Sequence, residues 1–296
     1  MQLLAYILIY PFLWLISILP FKLLYAFSDF VFIIVYRIFK YRKKVVKQNL
    51  RLVFPEKSKD EIEEITRKFY HHLCDMIFES IKSMTISEKE MRKRFTFTDL
   101  DILQNFEKKN RSLILMCAHY ASWEWIFILQ KHVNYTGFGI YKRLSNKYFD
   151  ALVKRIRARY NSYLITTKET VSTLSASKAK GELSMSGFAS DQSPKIDKAH
   201  HWQNFMGIKV PVHTGAEMIA KKLDMSVVFF GTKRLKRGYY QTGFKILAEN
   251  PNDYKNYEIT DAFLKIVEQQ ILEAPEFYLW THKRWKHRDK VPKEFL

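Results

Sequence analysis

His119 to Glu124, reading His-Tyr-Ala-Ser-Trp-Glu, follows the apolar run Ser112 to Cys117 and sets an imidazole and a carboxylate where a buried strand ends. Those two groups suit acyl transfer to a hydroxyl. One ring nitrogen takes the alcohol proton while an acid orients the other. Five residues turn an ideal helix through about 500°, which leaves the two side chains roughly 140° apart. Both therefore cannot lie on one helical face. The spacing predicts His119 ahead of a helix, Glu124 in its first turn, where the dipole favours a carboxylate, and Ser122 as the N-cap. Glu124 is then the expected orienter of His119. Spacing alone is weak support: with nine His and 30 Asp+Glu in 296 residues, about one acid five places after a His arises by chance, and this chain has one.

The elements that must position this pair are legible as alternating patterns. Ser58 to Met84 carries apolar residues at helical spacing and opens with Ser58, Asp60 and Glu61, as a helix start does. Strands are expected over Ser112 to Cys117, Thr136 to Tyr141, Ser162 to Thr166, Glu182 to Ser190, Met225 to Gly231 and Tyr239 to Leu247. Helices are expected over Ala121 to His132, Ser145 to Tyr160, Lys168 to Lys178, His213 to Leu223 and Asp253 to Ala274. Such βαβα alternation predicts an α/β fold with a mainly parallel central sheet covered by helices. Ligands bind beyond the carboxyl ends of such strands. His119 falls there, and Asp191 and Gln192 fall at an equivalent edge.

The first segment differs in kind. No charged side chain occurs from Met1 to Phe21, and only Asp29 interrupts the apolar run from Leu23 to Tyr36. About twenty apolar residues span a bilayer, and Pro11 and Pro20 allow a tilted span or a re-entrant hairpin. Arg37 to Arg51 then carries seven Lys/Arg and no acid, which should hold the following domain on the cytoplasmic side, against anionic lipid. The expected division is a membrane anchor over 1–39 and an α/β catalytic domain over 40–296.

Net charge is +19, so an anionic partner is expected. Basic groups near the proposed site include Lys142 and Arg143, then Lys154, Arg155, Arg157 and Arg159 on one helix. Arg155 and Arg159 share a face from which Arg157 points away. Two cysteines, Cys74 and Cys117, sit in apolar stretches and read as reduced core thiols. Neither a metal nor a cofactor is expected. His71-His72 and His200-His201 are adjacent pairs that diverge on a helix, and His71, Cys74 and Asp75 make a partial site at most. No phosphate loop or dinucleotide fingerprint appears. Aromatic residues, 16% of the chain, concentrate in the N-terminal segment and the strands, where packing accounts for them without nucleic acid.

Taken together, these residues resemble the late acyltransferases of lipid A biosynthesis, within the wider lysophospholipid acyltransferase superfamily. The likeness covers Arg-Lys-Lys-Val-Val-Lys-Gln-Asn-Leu ending at Leu50, Phe54-Pro55-Glu56, the His119/Glu124 block with Trp123, and Tyr141 to Asn146. It continues through Asp191-Gln192, Phe205-Met206-Gly207, Thr214-Gly215-Ala216, Arg234, Gly238-Tyr239 and Pro275-Glu276 to the run Trp280-Thr281-His282-Lys283-Arg284-Trp285. The family usually has Gly-Asn where Ala121-Ser122 stand and Pro where Leu144 stands. The resemblance implies a glycerolipid acyltransferase-like fold. It also implies transfer of a fatty acyl chain from a thioester, usually on acyl carrier protein, to a hydroxyl of an acylated glycolipid at the bacterial inner membrane. His119 would be the base and Glu124 its partner. Arg159 would hold the oxyanion or a phosphate, with Asp191 positioning it, and Arg143 is a further candidate. Two other readings stay open: a CoA-dependent phospholipid or aminolipid acyltransferase, and a non-catalytic basic membrane or nucleic-acid binder.

Overall fold

In the computed structural model, which describes residues 1–295, the apolar N-terminus forms α1 (Gln2–Ile18) and α2 (Phe21–Ile33), divided at Leu19-Pro20 and followed by a π-helical turn, Ile34–Ile38. Among the described residues no helix is long and apolar enough to cross a membrane. The 17 residues of α1 reach only about 25 Å at 1.5 Å each, short of a hydrocarbon core of about 30 Å. Of the two expected arrangements, the single span is thus absent from the described residues, and two helices stand instead because Pro20 starts the second before the first is long enough.

Next come α3 (Lys43–Val53) and α4 (Lys59–Lys82). The α4 start is a complete capping box: Ser58 Oγ accepts from Glu61 N at 3.2 Å and Glu61 Oε2 accepts from Ser58 N at 2.8 Å. Then follow α5 (Glu88–Arg94), β1 (Phe95–Phe97), α6 (Leu100–Lys108) and β2 (Leu113–Cys117). Beyond these lie β3 (Thr136–Tyr141), α7 (Lys147–Ala158), β4 (Ser162–Thr166), α8 (Thr170–Ala179) and β5 (Ser184–Ala189). A two-stranded ribbon, β6 (Trp202–Phe205) with β7 (Ile208–Pro211), precedes α9 (Gly215–Leu223), the hairpin β8 (Ser226–Lys236) and β9 (Tyr239–Ala248), and α10 (Glu258–Glu273). Five of the six expected strands agree to within two residues at each end. The strand from Met225 runs on to Lys236, and β1, β6 and β7 are too short to show a period.

Seven strands make one sheet in the order β1-β9-β8-β2-β5-β3-β4. All pairs are parallel except the β8–β9 hairpin. Every residue of β2 is buried, because both faces of this central strand are covered. Ile114 and Met116 point into the core beneath α8, α9 and α10, while Leu113, Leu115 and Cys117 point into a second core beneath α6. The N-terminal helices pack on α4, and α1 also touches α7. Their outer faces leave Leu4, Ile7, Leu8, Phe12 and Leu15 exposed.

Candidate active site

Register brings the central pair together. In the β2–β5 pairing Cys117 lies opposite Ala189, so two residues further along each parallel strand His119 faces Asp191. Asp191 Oδ1 accepts from His119 Nδ1 at 2.7 Å and from the His119 backbone N–H at 3.1 Å. The carboxylate is 1% exposed and the imidazole 22%. His119 Nε2 forms no hydrogen bond among the described residues, and the ring lines a cavity of about 320 Å³. Burial works to lower the imidazole, but the charge and hydrogen bond of Asp191, then the charge of Glu124, outweigh it and raise the pKa above the ordinary histidine value. Burial works to raise Asp191, and the adjacent His119 more than compensates, holding the carboxyl below its usual range.

The orienter of His119 is therefore Asp191. Glu124, expected in that role, instead pairs with Arg157. The expected helix over Ala121 to His132 is also different: it is a 3-10 helix, Glu124–Lys131, whose N-cap position is Trp123, and Ser122 makes no capping bond. Ala121 has φ +49, a left-handed turn that ends the strand path before the helix can start. Side chains three apart eclipse on a 3-10 helix. Trp123, Ile126 and Leu129 form one ridge and Glu124, Phe127 and Gln130 the next, and both ridges roof the cavity. Trp125 and Ile128 point away into the core. On the strand side Gly139 of β3 lies beside Gly187 of β5, and Leu115, Cys117, Met185 and Phe230 contribute side chains to the wall.

Arg157 is the guanidinium at this cavity, although the helical wheel turns it away from Arg155 and Arg159. Arg159 sits elsewhere: it donates to Ser83 O at 3.1 Å and Ile86 O at 3.0 Å, closing the turn between α4 and α5. Asp191 accordingly does not position it. Arg143 is exposed in the loop after β3 and is outside the cavity lining, whereas its neighbour Lys142 is part of it. Gln192 is half-buried after Asp191, and its side chain makes no hydrogen bond among the described residues.

The C-terminal aromatic run braces this edge rather than contributing to the cavity. His119 O accepts from Leu279 N at 3.1 Å, and Ala121 N donates to Phe277 O at 3.0 Å. Asn49 Nδ2 holds Trp280 O at 2.9 Å and His282 O at 2.8 Å. His282 lies outside the cavity lining, its Nε2 accepts from Ser193 N at 3.2 Å, and burial pushes its imidazole down to about 4. Arg284 of the same run is wholly buried and donates to Pro211 O at 3.0 Å.

No metal fits the one cluster that offers donor atoms among the described residues. Ligand atoms of Asp29, His71 and Asp75 lie within 4.8 Å of one another, but the Arg237 guanidinium donates to both carboxylates. The other histidine pair splits as well, with His201 bound to Asp261 at 2.9 Å.

A family model described as bacterial lipid A biosynthesis acyltransferase matches residues 2–287. Among curated proteins, the chain is 25% identical to a lipid A biosynthesis lauroyltransferase of Escherichia coli (strain K12), over 96% of this chain and 92% of that protein. It is 25% identical to a lipid A biosynthesis palmitoleoyltransferase of the same organism, over 93% and 89%. It is 24% identical to a lipid A biosynthesis acyltransferase of Haemophilus influenzae (strain ATCC 51907 / DSM 11121 / KW20 / Rd), over 85% and 80%. The chain belongs to the bacterial lipid A biosynthesis acyltransferase family.

Proposed function

We propose that this member of the lipid A acyltransferase family moves a fatty acyl chain from an acyl thioester to a hydroxyl of a lipid A precursor, with His119 as base. The observation that carries the reading is an oriented imidazole, Nε2 free, at the mouth of an apolar cavity. Nε2 takes the hydroxyl proton and the alkoxide oxygen attacks the thioester carbonyl carbon. The tetrahedral intermediate collapses, the C–S bond breaks, and the thiolate leaves with the proton held by the imidazolium. Asp191 fixes the tautomer and steadies that imidazolium. Arg157, held by Glu124, supplies positive charge beside the developing oxyanion, a contribution of about 3 kcal/mol for a well-placed donor. The donor chain takes the apolar part of this cavity, whose wall includes Leu115, Ile126, Leu129, Met185 and Phe230.

Lys142 in the cavity wall and the exposed Arg143 beside it suit an acidic donor protein, so acyl carrier protein is the favoured donor over CoA. Purified His119→Ala should lose transfer by at least about a hundredfold. A variant that keeps near-wild-type transfer with an acyl-carrier-protein thioester and a lipid A precursor rejects the assignment.

The apolar outer face of α1 and the basic run from Arg37 support a reading in which residues 1–39 lie along the interface of the bacterial inner membrane, with the catalytic domain on the cytoplasmic side. Because α2 is tied to α4 and the β8–β9 turn, cutting the segment away would damage the domain as well. Substituting Leu4, Leu8 and Phe12 by Lys leaves those ties intact and should release the protein from membranes. Continued sedimentation with membranes would put the anchor elsewhere.

A further inference from the structure

Behind the first cavity lies a second of about 200 Å³. Glu124, Phe127 and Arg157 belong to the walls of both. The ion pair, with the Phe127 ring 4.9 Å beneath the guanidinium, is the partition. Met91, Val153 and Ile156 make much of the remaining wall. Two α4 hydroxyls also face this space, but both turn back on their own helix: Ser80 Oγ donates to Met76 O at 2.8 Å and Ser83 Oγ to Glu79 O at 3.1 Å. Apart from the mutually paired Glu124 and Arg157, what they leave for a ligand is mostly hydrocarbon. One polar atom departs from this pattern, because the Tyr160 hydroxyl in the same wall is buried with no partner among the described residues. Such an orphan is uncommon in a folded protein and calls for a cause. Trp125, another wall residue, meets Phe21 of α2 edge-on at 6.4 Å. The cavity therefore stands one side chain from the apolar N-terminal helices.

We propose that this second cavity binds an acyl chain already carried by the acceptor lipid, an inference that rests on the acyl-transfer reading above. The reaction must bring two greasy molecules to one imidazole. The donor chain has the larger cavity, whose mouth is His119. An acylated acceptor brings hydrocarbon of its own, which must leave water close to the hydroxyl being acylated. The second cavity meets that need: it is apolar, it ends at the same Glu124–Arg157 partition, and it neighbours the surface from which a lipid arrives. The Tyr160 hydroxyl donates to a carbonyl of the bound chain, and Arg159 keeps the wall in place through Ser83 O and Ile86 O.

Val153→Phe fills the cavity, and Tyr160→Phe keeps its shape while removing only the orphan hydroxyl. Steady-state transfer, with the lipid A precursor and the acyl thioester varied separately, reads the two substrates apart. Val153→Phe should raise KM for the precursor at least tenfold and leave KM for the thioester within twofold. Tyr160→Phe should raise the precursor KM about threefold with no loss of Tm. An unchanged precursor KM in a Val153→Phe protein of normal Tm, or an equal rise in both constants, overturns the proposal. Should Val153→Phe fail to fold, Ile156→Ala decides it. Enlarging the cavity must shift the preferred acceptor toward longer chains, and an unshifted preference overturns it. Binding of the lipid A precursor to His119→Ala, with and without Val153→Phe, separates the two readings. Affinity lost only with Val153→Phe upholds the cavity even if no transfer occurs, and affinity kept in both overturns it.

Discussion

Asp191 and Asp75 are both buried carboxylates set against a nitrogen base, yet one pair is equipped for chemistry and the other for holding the molecule together. Asp191 engages one nitrogen of His119 and leaves the other facing a cavity. Asp75, wholly buried on α4, receives Arg237 Nε at 2.9 Å and Nη2 at 2.6 Å, and Ser28 Oγ at 2.8 Å. The same guanidinium grips Asp29 of α2 at 2.6 and 3.0 Å. One turn further along α4, Glu79 accepts from Tyr25 and Tyr240, each at 2.8 Å, and burial pushes its carboxyl up to about 7. Three elements distant in sequence, α2, α4 and the β8–β9 turn, are clamped in this way. Gly238 completes the joint: at φ +73 a Cβ would stand 1.9 Å from Tyr25 Oη. The lesson is that an ion pair becomes a site only where one partner keeps an unsatisfied atom facing space a substrate can enter.

The clamp should break hardest. Arg237→Met leaves Asp75 buried without its strongest partner, and removing one member of a buried pair costs about 3 kcal/mol. Chemical unfolding should show that loss, with part of it recovered when Asp75→Asn is added. A stability change under about 1 kcal/mol would mean the clamp is ornamental.

The dyad comes next. Asp191→Asn should lower transfer about a hundredfold, close to 2.7 kcal/mol of barrier. It should also move the pH profile. On the proposed mechanism transfer requires the neutral imidazole, so in the wild type it should rise with pH through a pKa held above the ordinary histidine value. Without the aspartate charge, burial dominates and the rise shifts to lower pH. Glu124→Gln, which acts through Arg157, should lower turnover and move the profile less. A larger shift for Glu124→Gln than for Asp191→Asn would restore Glu124 as the partner of His119.

The smallest effect concerns the turn between them. Ala121 occupies the left-handed region, where an L-residue costs about 1 kcal/mol. Ala121→Gly should relieve that strain, raising Tm by about 2 °C without loss of transfer. A fall in Tm would show that the alanine methyl, wholly buried, contributes more by packing than it costs in strain.

Much of this molecule was legible from residue order. Apolar periodicity located β2 to β5 and the helices between them, because a strand or helix buried on a known face repeats at a known interval. The same reading put His119 and Asp191 at strand ends. Periodicity is silent where elements are short, as in β1 and the β6–β7 ribbon, and misleads at Glu124–Lys131, because a 3-10 helix does not follow the α-helical wheel. The Gly usually found in the family at position 121 was a usable signal of the left-handed turn, since only glycine takes that conformation freely.

Residue order alone supplies the chemical groups: an imidazole after a buried strand, two acids within reach, several guanidinium groups and an apolar start. Tertiary structure alone decided who meets whom. His119 finds Asp191, 72 residues away, because β2 and β5 are neighbours in register, and strand order is not written in any local spacing. Arg157 rather than Arg159 faces the cavity because the docking of α7 selects which side of the helix looks inward. A helical wheel gives relative directions, and only packing supplies the reference.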